Sequence, residues 1–224
     1  MSAQTSQGPA IRRQIERVPN SEVLSAAPFA VATLYEAAGR VGALPSALKP
    51  TSSSFQLCGP AITVDSPGAD NLWIHRALYV AQPGDVLVVR VNGAYEHGYW
   101  GEIMSTAAKL RGLGGLIIDG GVRDSVLLER IGFPVFARTL CIRGTTKDPQ
   151  GHGRINSALV FGDVTIAPGD LIVGDGDGVV AIARERVAAV IEAAIQRTEL
   201  EERVLERLER GESTLDIYGW SAES

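Results

Sequence analysis

Apolar and polar positions fall into two rhythms along most of the chain. Pro28 opens and Gly39 closes a stretch, Phe29 to Ala38, whose punctuation predicts a helix. Residues 57–65 (Leu-Cys-Gly-Pro-Ala-Ile-Thr-Val-Asp) read as a strand interrupted near its start by Pro60, and Asp70 is placed to cap a helix through Trp73 and Tyr79. Pro83-Gly-Asp85 makes a turn before an aliphatic strand over 86–91. Residues 99–111 carry apolar side chains at helical spacing, Gly112 can end that helix, and Gly115 to Asp119 is another buried strand. Asp124 or Ser125 would then cap a helix from Val126 to Ile131, closed by Gly132 ahead of a strand over 134–138. Two β–α–β units follow, which makes the chain an α/β protein.

After a polar loop from Thr139 to Arg154 the text changes to short strands at 155–161, 163–166, 171–173 and 178–183. Pro168-Gly-Asp170 repeats the earlier Pro-Gly-Asp, but two matching turns are too few to make a duplicated domain. Arg184 to Arg210 predicts a long charged helix. Val187, Val190, Ile191, Ala194 and Ile195 give it an apolar stripe, whereas Glu199 to Glu209 is far more polar. That half either meets another copy of the chain or ends in solvent among ion pairs. The organisation is therefore a polar N-terminal extension (1–24, with Met1 to Gly8 expected to be disordered), a core (25–183), and a C-terminal helix and tail (184–224).

The 224 residues, 45% apolar, suffice for one substantial core. A net charge of −5 without a lysine block argues against nucleic acid as a partner. Cys58 and Cys141 stand alone, so no disulfide framework or zinc cluster is indicated, and a reducing cytoplasm is the expected compartment. No apolar run reaches the length of a membrane span.

Several chemical signals fail on inspection. Gly176-x-Gly178-x-x-Ala181 is followed by strand rather than helix, so it is not a dinucleotide fingerprint. Asp175-Gly-Asp177-Gly has Arg186 where a calcium loop needs a bidentate glutamate. Serine-hydrolase, phosphate-loop and zincin motifs are missing, and His75, His97 and His152 are isolated from one another in sequence.

One constellation survives. Gly98-Tyr-Trp-Gly-Glu102-Ile-Met104 places an acid at the first turn of a helix, and Arg123-Asp124 follows the carboxyl end of a buried strand, where ligands gather in open α/β sheets. By itself the pair reads more often as a capped helix start than as a site. Glu102, then twenty residues, then Arg123-Asp124 resembles the acid-x20-Arg-Asp signature of class II pyruvate aldolases that cleave 4-hydroxy-4-methyl-2-oxoglutarate and 4-carboxy-4-hydroxy-2-oxoadipate. The wider resemblance, over residues 25–210, is to the RraA-like family, carried by Gly59-Pro-Ala-Ile-Thr-Val64, Asp70-Asn71, Pro83-Gly-Asp-Val-Leu-Val88, Gly115 through Asp124, and Asp177-Gly-Val-Val180.

The resemblance implies an α-β-β-α sandwich of the RraA-like type with a long C-terminal helical extension, assembled as a homotrimer or homohexamer with active sites between subunits. It implies Asp124 as ligand of Mg²⁺ or Mn²⁺ and Arg123 at the keto oxygen of a small oxo-acid substrate. The backbone of Gly101, Glu102, Ile103 and Met104 would receive the carboxylate. Glu102, where such aldolases often carry aspartate, and Glu201 from a neighbouring subunit would hold a water that moves protons. Oxaloacetate decarboxylation would accompany aldol cleavage, since both release the same enolate. Among twenty-one cations only Lys49, Lys109 and Lys147 are lysine; Lys109 falls in a polar-flanked helix and Lys147 in a loop beside Asp148, neither of them the apolar setting a Schiff base needs. The alternative is a non-catalytic RraA-type inhibitor of an RNA-degrading enzyme; those regulators are shorter, and their best-known member lacks the acid after the arginine.

Overall fold

A computed structural model describes residues 10–220, so the expected disordered end at Met1 to Gly8 lies outside the described residues. Four strands form its parallel centre: β2 (Leu57–Asp65), β3 (Val86–Arg90), β5 (Gly115–Val122) and β6 (Val135–Leu140), ordered β6-β5-β3-β2. The strand β1 (Lys49–Pro50) adds antiparallel to β6, and β10 (Leu171–Asp175) with β11 (Gly178–Ile182) adds antiparallel beyond β2. The outer strands approach each other: the Lys49 ammonium donates to the Asp177 carbonyl, and Ala43 bridges to Val180. One nearly closed sheet results. The short β7 (Arg154–Ile155) pairs with β2, and β8 (Leu159–Phe161) with β9 (Val164–Ile166) makes a separate hairpin.

Strand periodicity of two sorts the core. Val86, Val88, Ile117, Phe136, Ile172 and Val179 fill the interior between the sheet's two halves. Leu87, Val89, Leu116 and Ile118, on the opposite pleat, meet helices α3 (Leu72–Leu78), α4 (Glu102–Leu110) and α5 (Ser125–Ile131). Leu171, Val173, Val180 and Ile182 meet α1 (Asn20–Ala26), α2 (Val31–Ala37) and α6 (Val187–Glu209). The layers thus run helix, sheet, sheet, helix, as the resemblance implies, with both sheets belonging to one curled ladder. The α6 helix buries Val187, Val190 and Ala194 and then extends to a short α7 (Thr214–Tyr218). No helix among the described residues is long and apolar enough to cross a membrane.

Three local expectations need correction. The helix expected from residue 99 begins at Glu102, because Gly98–Trp100 is a strand, β4, paired with β5. Tyr99 and Trp100 are apolar at helical spacing, but they are buried as strand residues: Trp100 stacks on Phe133, and the Tyr99 hydroxyl sits between Ala69 and Ala94. The strand expected over 155–161 is broken where Asn156 turns into the left-handed region at φ 62°. Asp124 occupies the N-cap position of α5 but makes no side-chain cap there, and its backbone is left-handed at φ 63°.

Candidate active site

The site begins with how β4 and β5 end together. The Arg123 amide donates to the Trp100 carbonyl at 2.9 Å, so the last residues of both strands are tied. Asp124 then bends the chain through its left-handed backbone, and its carboxylate turns away from its own helix toward the start of α4. There Oδ2 accepts the Glu102 amide at 3.0 Å and lies 3.8 Å from Arg123 Nε. Gly101 makes this approach possible, since a Cβ at that position would stand 2.3 Å from Asp124 Oδ2 and 3.2 Å from Arg123 Cγ. The junction is held from below by Trp100, whose indole donates to Ser105 Oγ at 2.6 Å, and by Asn71, whose amide donates to the Tyr99 carbonyl at 2.9 Å.

The outcome is a pocket of about 200 Å³ at the N-terminus of α4, lined by residues 98–104, Arg123 and Asp124 together with Asn71, His75 and Lys147. The amides of Ile103 and Met104 belong to the first turn and have no carbonyl one turn behind them in the helix. With the helix dipole they favour a carboxylate. Arg123 is half-exposed beside them, a planar donor fork able to meet an oxygen that gains charge. A larger cavity, about 410 Å³, lies between the α1–α2 connection and the ends of β2 and β10. Its ionisable groups are already engaged: Asp175 accepts the Val31 and Asp177 amides, and burial pushes the Cys58 thiol up to about 11.

Six of the seven sequence-selected residues, Gly101, Glu102, Ile103, Met104, Arg123 and Asp124, come together here. Ile103 contributes backbone, its side chain being largely exposed. Glu201 does not join them within one protomer: it lies on α6, across the sheet, paired with Arg197 at 2.8 Å. Sequence reasoning missed Asn71, His75 and Lys147. His75 had been set aside as isolated, and Lys147 as a loop residue beside Asp148. Burial lowers the basicity of the His75 imidazole, and the Lys147 charge lowers it further against the opposing pull of Asp70. Lys109 and Lys49 are spent on backbone carbonyls of Ile131 and Asp177.

Whether a divalent cation suits these residues is a matter of donor chemistry. Asp124 offers a hard, half-exposed carboxylate whose Oδ1 carries no protein donor among the described residues. No cluster of three or more His, Cys, Asp or Glu surrounds it among those residues. A cation that keeps several waters and takes one carboxylate, as Mg²⁺ does, fits that donor set; one demanding an all-protein cage does not.

Comparison with known proteins shows the family. A family model described as RraA-like, Aldolase/RraA, matches residues 31–181. The chain belongs to the RraA-like family. Within that family it is 38% identical over 151 residues to a Halalkalibacterium halodurans protein provisionally named 4-hydroxy-4-methyl-2-oxoglutarate aldolase, covering 67% of this chain and 71% of that one. It is 35% identical over 192 residues to an uncharacterized protein of Methanocaldococcus jannaschii, covering 84% and 89% of the two chains. Among solved structures, an uncharacterized protein from Pseudomonas syringae pv. tomato superposes with a TM-score of 0.78 at 25% identity, over 89% of this chain and 93% of the other. RraAS2 of Streptomyces coelicolor, an unusual member of the RNase ES inhibitor RraA family, gives a TM-score of 0.74 at 24% identity over 85% and 98%, a likeness of fold.

Proposed function

We propose that this RraA-like protein is a divalent-metal-dependent aldolase that cleaves a 4-hydroxy-2-oxo acid, of the 4-hydroxy-4-methyl-2-oxoglutarate or 4-carboxy-4-hydroxy-2-oxoadipate type, to pyruvate and a second oxo acid. The observation that carries the reading is the turn of the Asp124 carboxylate, over Gly101, to the head of α4 beside Arg123. The carboxylate does not cap α5, the helix it precedes; it binds the first amide of α4 and lines the pocket there.

The substrate's carboxylate rests on the free amides at the start of α4, and the Arg123 guanidinium meets its keto oxygen. Cleavage removes the proton from the C4 hydroxyl and breaks C3–C4. The C4 oxygen becomes the carbonyl of the second product, and the bond's electron pair passes to C3 and the keto oxygen as pyruvate enolate. Arg123 stabilises that oxyanion, and Glu102, through water, takes up the hydroxyl proton and returns one to C3. Asp124 would hold Mg²⁺ or Mn²⁺, which when bound supplies Lewis-acid stabilisation of the same negative charge. Oxaloacetate decarboxylation breaks its C3–C4 bond in the same way, with C4 leaving as CO₂ and the electron pair passing to the same enolate; it needs no hydroxyl proton removed, and it accompanies aldol cleavage.

Glu201 enters only from a neighbouring copy, in a homotrimer or homohexamer. Ile103 on the pocket, and Leu140 and Ile142 in the adjoining cavity that shares Arg123 and Asp124, are exposed apolar residues, with Ile142 92% exposed, and they support a second copy covering the site. The test is pyruvate release from 4-hydroxy-4-methyl-2-oxoglutarate and from oxaloacetate with and without chelator. Chelator-sensitive turnover is expected; no turnover of either compound refutes the aldolase and favours the inhibitor reading.

A further inference from the structure

The parallel strands end in charge on the same pleat that carries core lower down. Ala61, Val88, Ile117 and Phe136 belong to the interior between the sheet's two halves, and further along that pleat stand Asp65, Arg90, Asp119 and Arg138. Signs alternate across the strands, with Asp65 opposite Arg90 and Arg90 opposite Asp119 in register. Arg90 donates to Asp65 in two bonds of 3.2 and 3.0 Å, and Arg138 Nε donates to Asp119 Oδ1 at 2.7 Å. Cross-strand pairs of opposite charge stabilise a sheet, and most of this row needs no other reason.

The Arg138–Asp119 pair differs in where it sits. Ile118 faces Ala137 and Gly121 faces Thr139, so three steps along β5 meet two along β6, and Asp119 lies in the resulting bulge. Bulges re-aim a strand, often beside a site. Before this one β5 pairs with β3; after it β5 pairs with β4, through Gly98 opposite Gly121 and Trp100 opposite Val122. Arg123 and Asp124 follow at once. The loop from β3 to β4 rests directly on the bulge, since a Cβ at Gly121 would stand 2.6 Å from the His97 carbonyl oxygen and 3.1 Å from that of Tyr95. Arg138 holds this loop as well: its guanidinium carbon lies 4.3 Å from the centre of the Tyr95 ring, a cation–π contact. One side chain on β6 thus grips both segments that deliver the site. The bulge leads to Arg123 and Asp124, and the loop leads through β4 to Gly101.

We propose that Arg138 is a positioning residue for the reaction, setting where Arg123 and Asp124 stand over the head of α4 by clasping Asp119 and Tyr95 together. The assignment deepens the aldolase reading and rests on it for the chemistry, but not for the geometry. The amides at the start of α4, which receive the substrate's carboxylate, are outside its grip, so its loss acts on turnover more than on binding.

The experiment compares Arg138→Met, Tyr95→Leu and Arg17→Met in cleavage of 4-hydroxy-4-methyl-2-oxoglutarate with Mg²⁺, beside thermal melts. Arg17→Met removes the partner of Asp85 at the other end of β3 and serves as a change of stability alone. If 1 Å of displacement costs on the order of 100-fold, a fraction of that shift in Arg138→Met should lower kcat at least about tenfold and change KM by less than about threefold. Tyr95→Leu, which keeps the ion pair, should lower kcat by about threefold or more by the same reasoning, and Arg17→Met should leave it unchanged well below its melting temperature. The Glu102 amide, which Asp124 accepts, reports the placement without turnover. Its NMR resonance should move in Arg138→Met and Tyr95→Leu and hold in Arg17→Met. Wild-type kcat and an unmoved Glu102 resonance in Arg138→Met overturn the proposal, as does an equal loss of kcat in Arg17→Met. Should Arg138→Met not fold, Tyr95→Leu decides by the same two readings. If the wild type releases no pyruvate, the aldolase reading fails, and the Glu102 resonance alone decides whether Arg138 positions Asp124.

Discussion

Replacing Gly101 by Ala adds one methyl group at the point where the site is tightest. That carbon would stand 2.3 Å from Asp124 Oδ2 and 3.3 Å from Asp124 Cγ, so the carboxylate has to retreat by about 1 Å to reach an ordinary contact distance. The backbone at Gly101 is extended, with φ −162°, and any residue can adopt it; the conflict is purely one of space. Because the clashing atom is the end of a rotatable side chain, the fold can absorb the change. What is lost is the Glu102 amide's bond to Asp124, about 1 kcal/mol as for other helix N-terminal contacts, and hence roughly 2–4 °C in Tm. The chemistry is far less tolerant, since a displacement of about 1 Å in a reacting group costs on the order of 100-fold. Pyruvate release by a lactate dehydrogenase coupled assay, read beside a thermal melt, therefore separates the two effects. A variant that keeps wild-type kcat/KM would show that the Asp124 position does not matter. One that unfolds outright would show that Gly101 serves the fold.

Other consequences are equally specific. Arg123→Lys keeps the charge but loses the fork, and steady-state kinetics should show kcat falling on the order of 100-fold with a much smaller change in KM; unchanged kcat contradicts the oxyanion role. Lys147 is exposed, without the desolvation a Schiff-base lysine needs, so borohydride in the presence of pyruvate should leave activity intact, and inactivation would make Lys147 the nucleophile. Asp85, 1% exposed, is held by Arg17 in two bonds of 2.8 and 2.9 Å; Arg17→Met should cost about 3 kcal/mol and lower Tm by roughly 6–12 °C in a thermal melt, and a shift under about 2 °C would refute the buried pairing. The folded state holds His75 below its unfolded basicity, so the unfolded chain binds the extra proton and stability falls as pH drops below about 6.5. Melts at pH 7.5 and 5.5 should show that fall reduced in His75→Phe, and an identical fall in both proteins would exclude the imidazole as its source.

Much of the architecture was legible because burial on two pleats leaves a mark on sequence. Val86 to Val89 and Leu116 to Ile118 are continuous aliphatic runs, as strands covered on both faces must be, and Gly112 and Gly132 end helices where they stand. The start of α4 was misread because Tyr99 and Trp100 fit a helical stripe, and only their burial against Phe133 and the Ala69–Ala94 loop makes them strand. Arg123 and Asp124 stood out at the end of a buried strand, and their roles and that of Gly101 to Met104 came from the family resemblance. The way Asp124 faces was not, since it depends on a left-handed backbone that aspartate adopts without a sequence signal. Lys147 and His75 meet only through the anchoring of a loop on buried Asp70, a contact between distant segments. Asp70 was visible as a helix cap, and its bonds to Thr146 and Asp148 were the part that only three dimensions reveal.

The central claim is that Arg123 and Asp124 together stabilise the enolate of pyruvate. Proton NMR of pyruvate in D₂O, with the protein and Mg²⁺, reads enolate formation directly and needs no knowledge of the second product. The account predicts that the wild-type protein washes out the methyl signal through exchange at C3, and that Arg123→Met and Asp124→Asn leave it at the protein-free rate. A wild-type protein that exchanges nothing, or variants that exchange as fast as it does, would contradict the account.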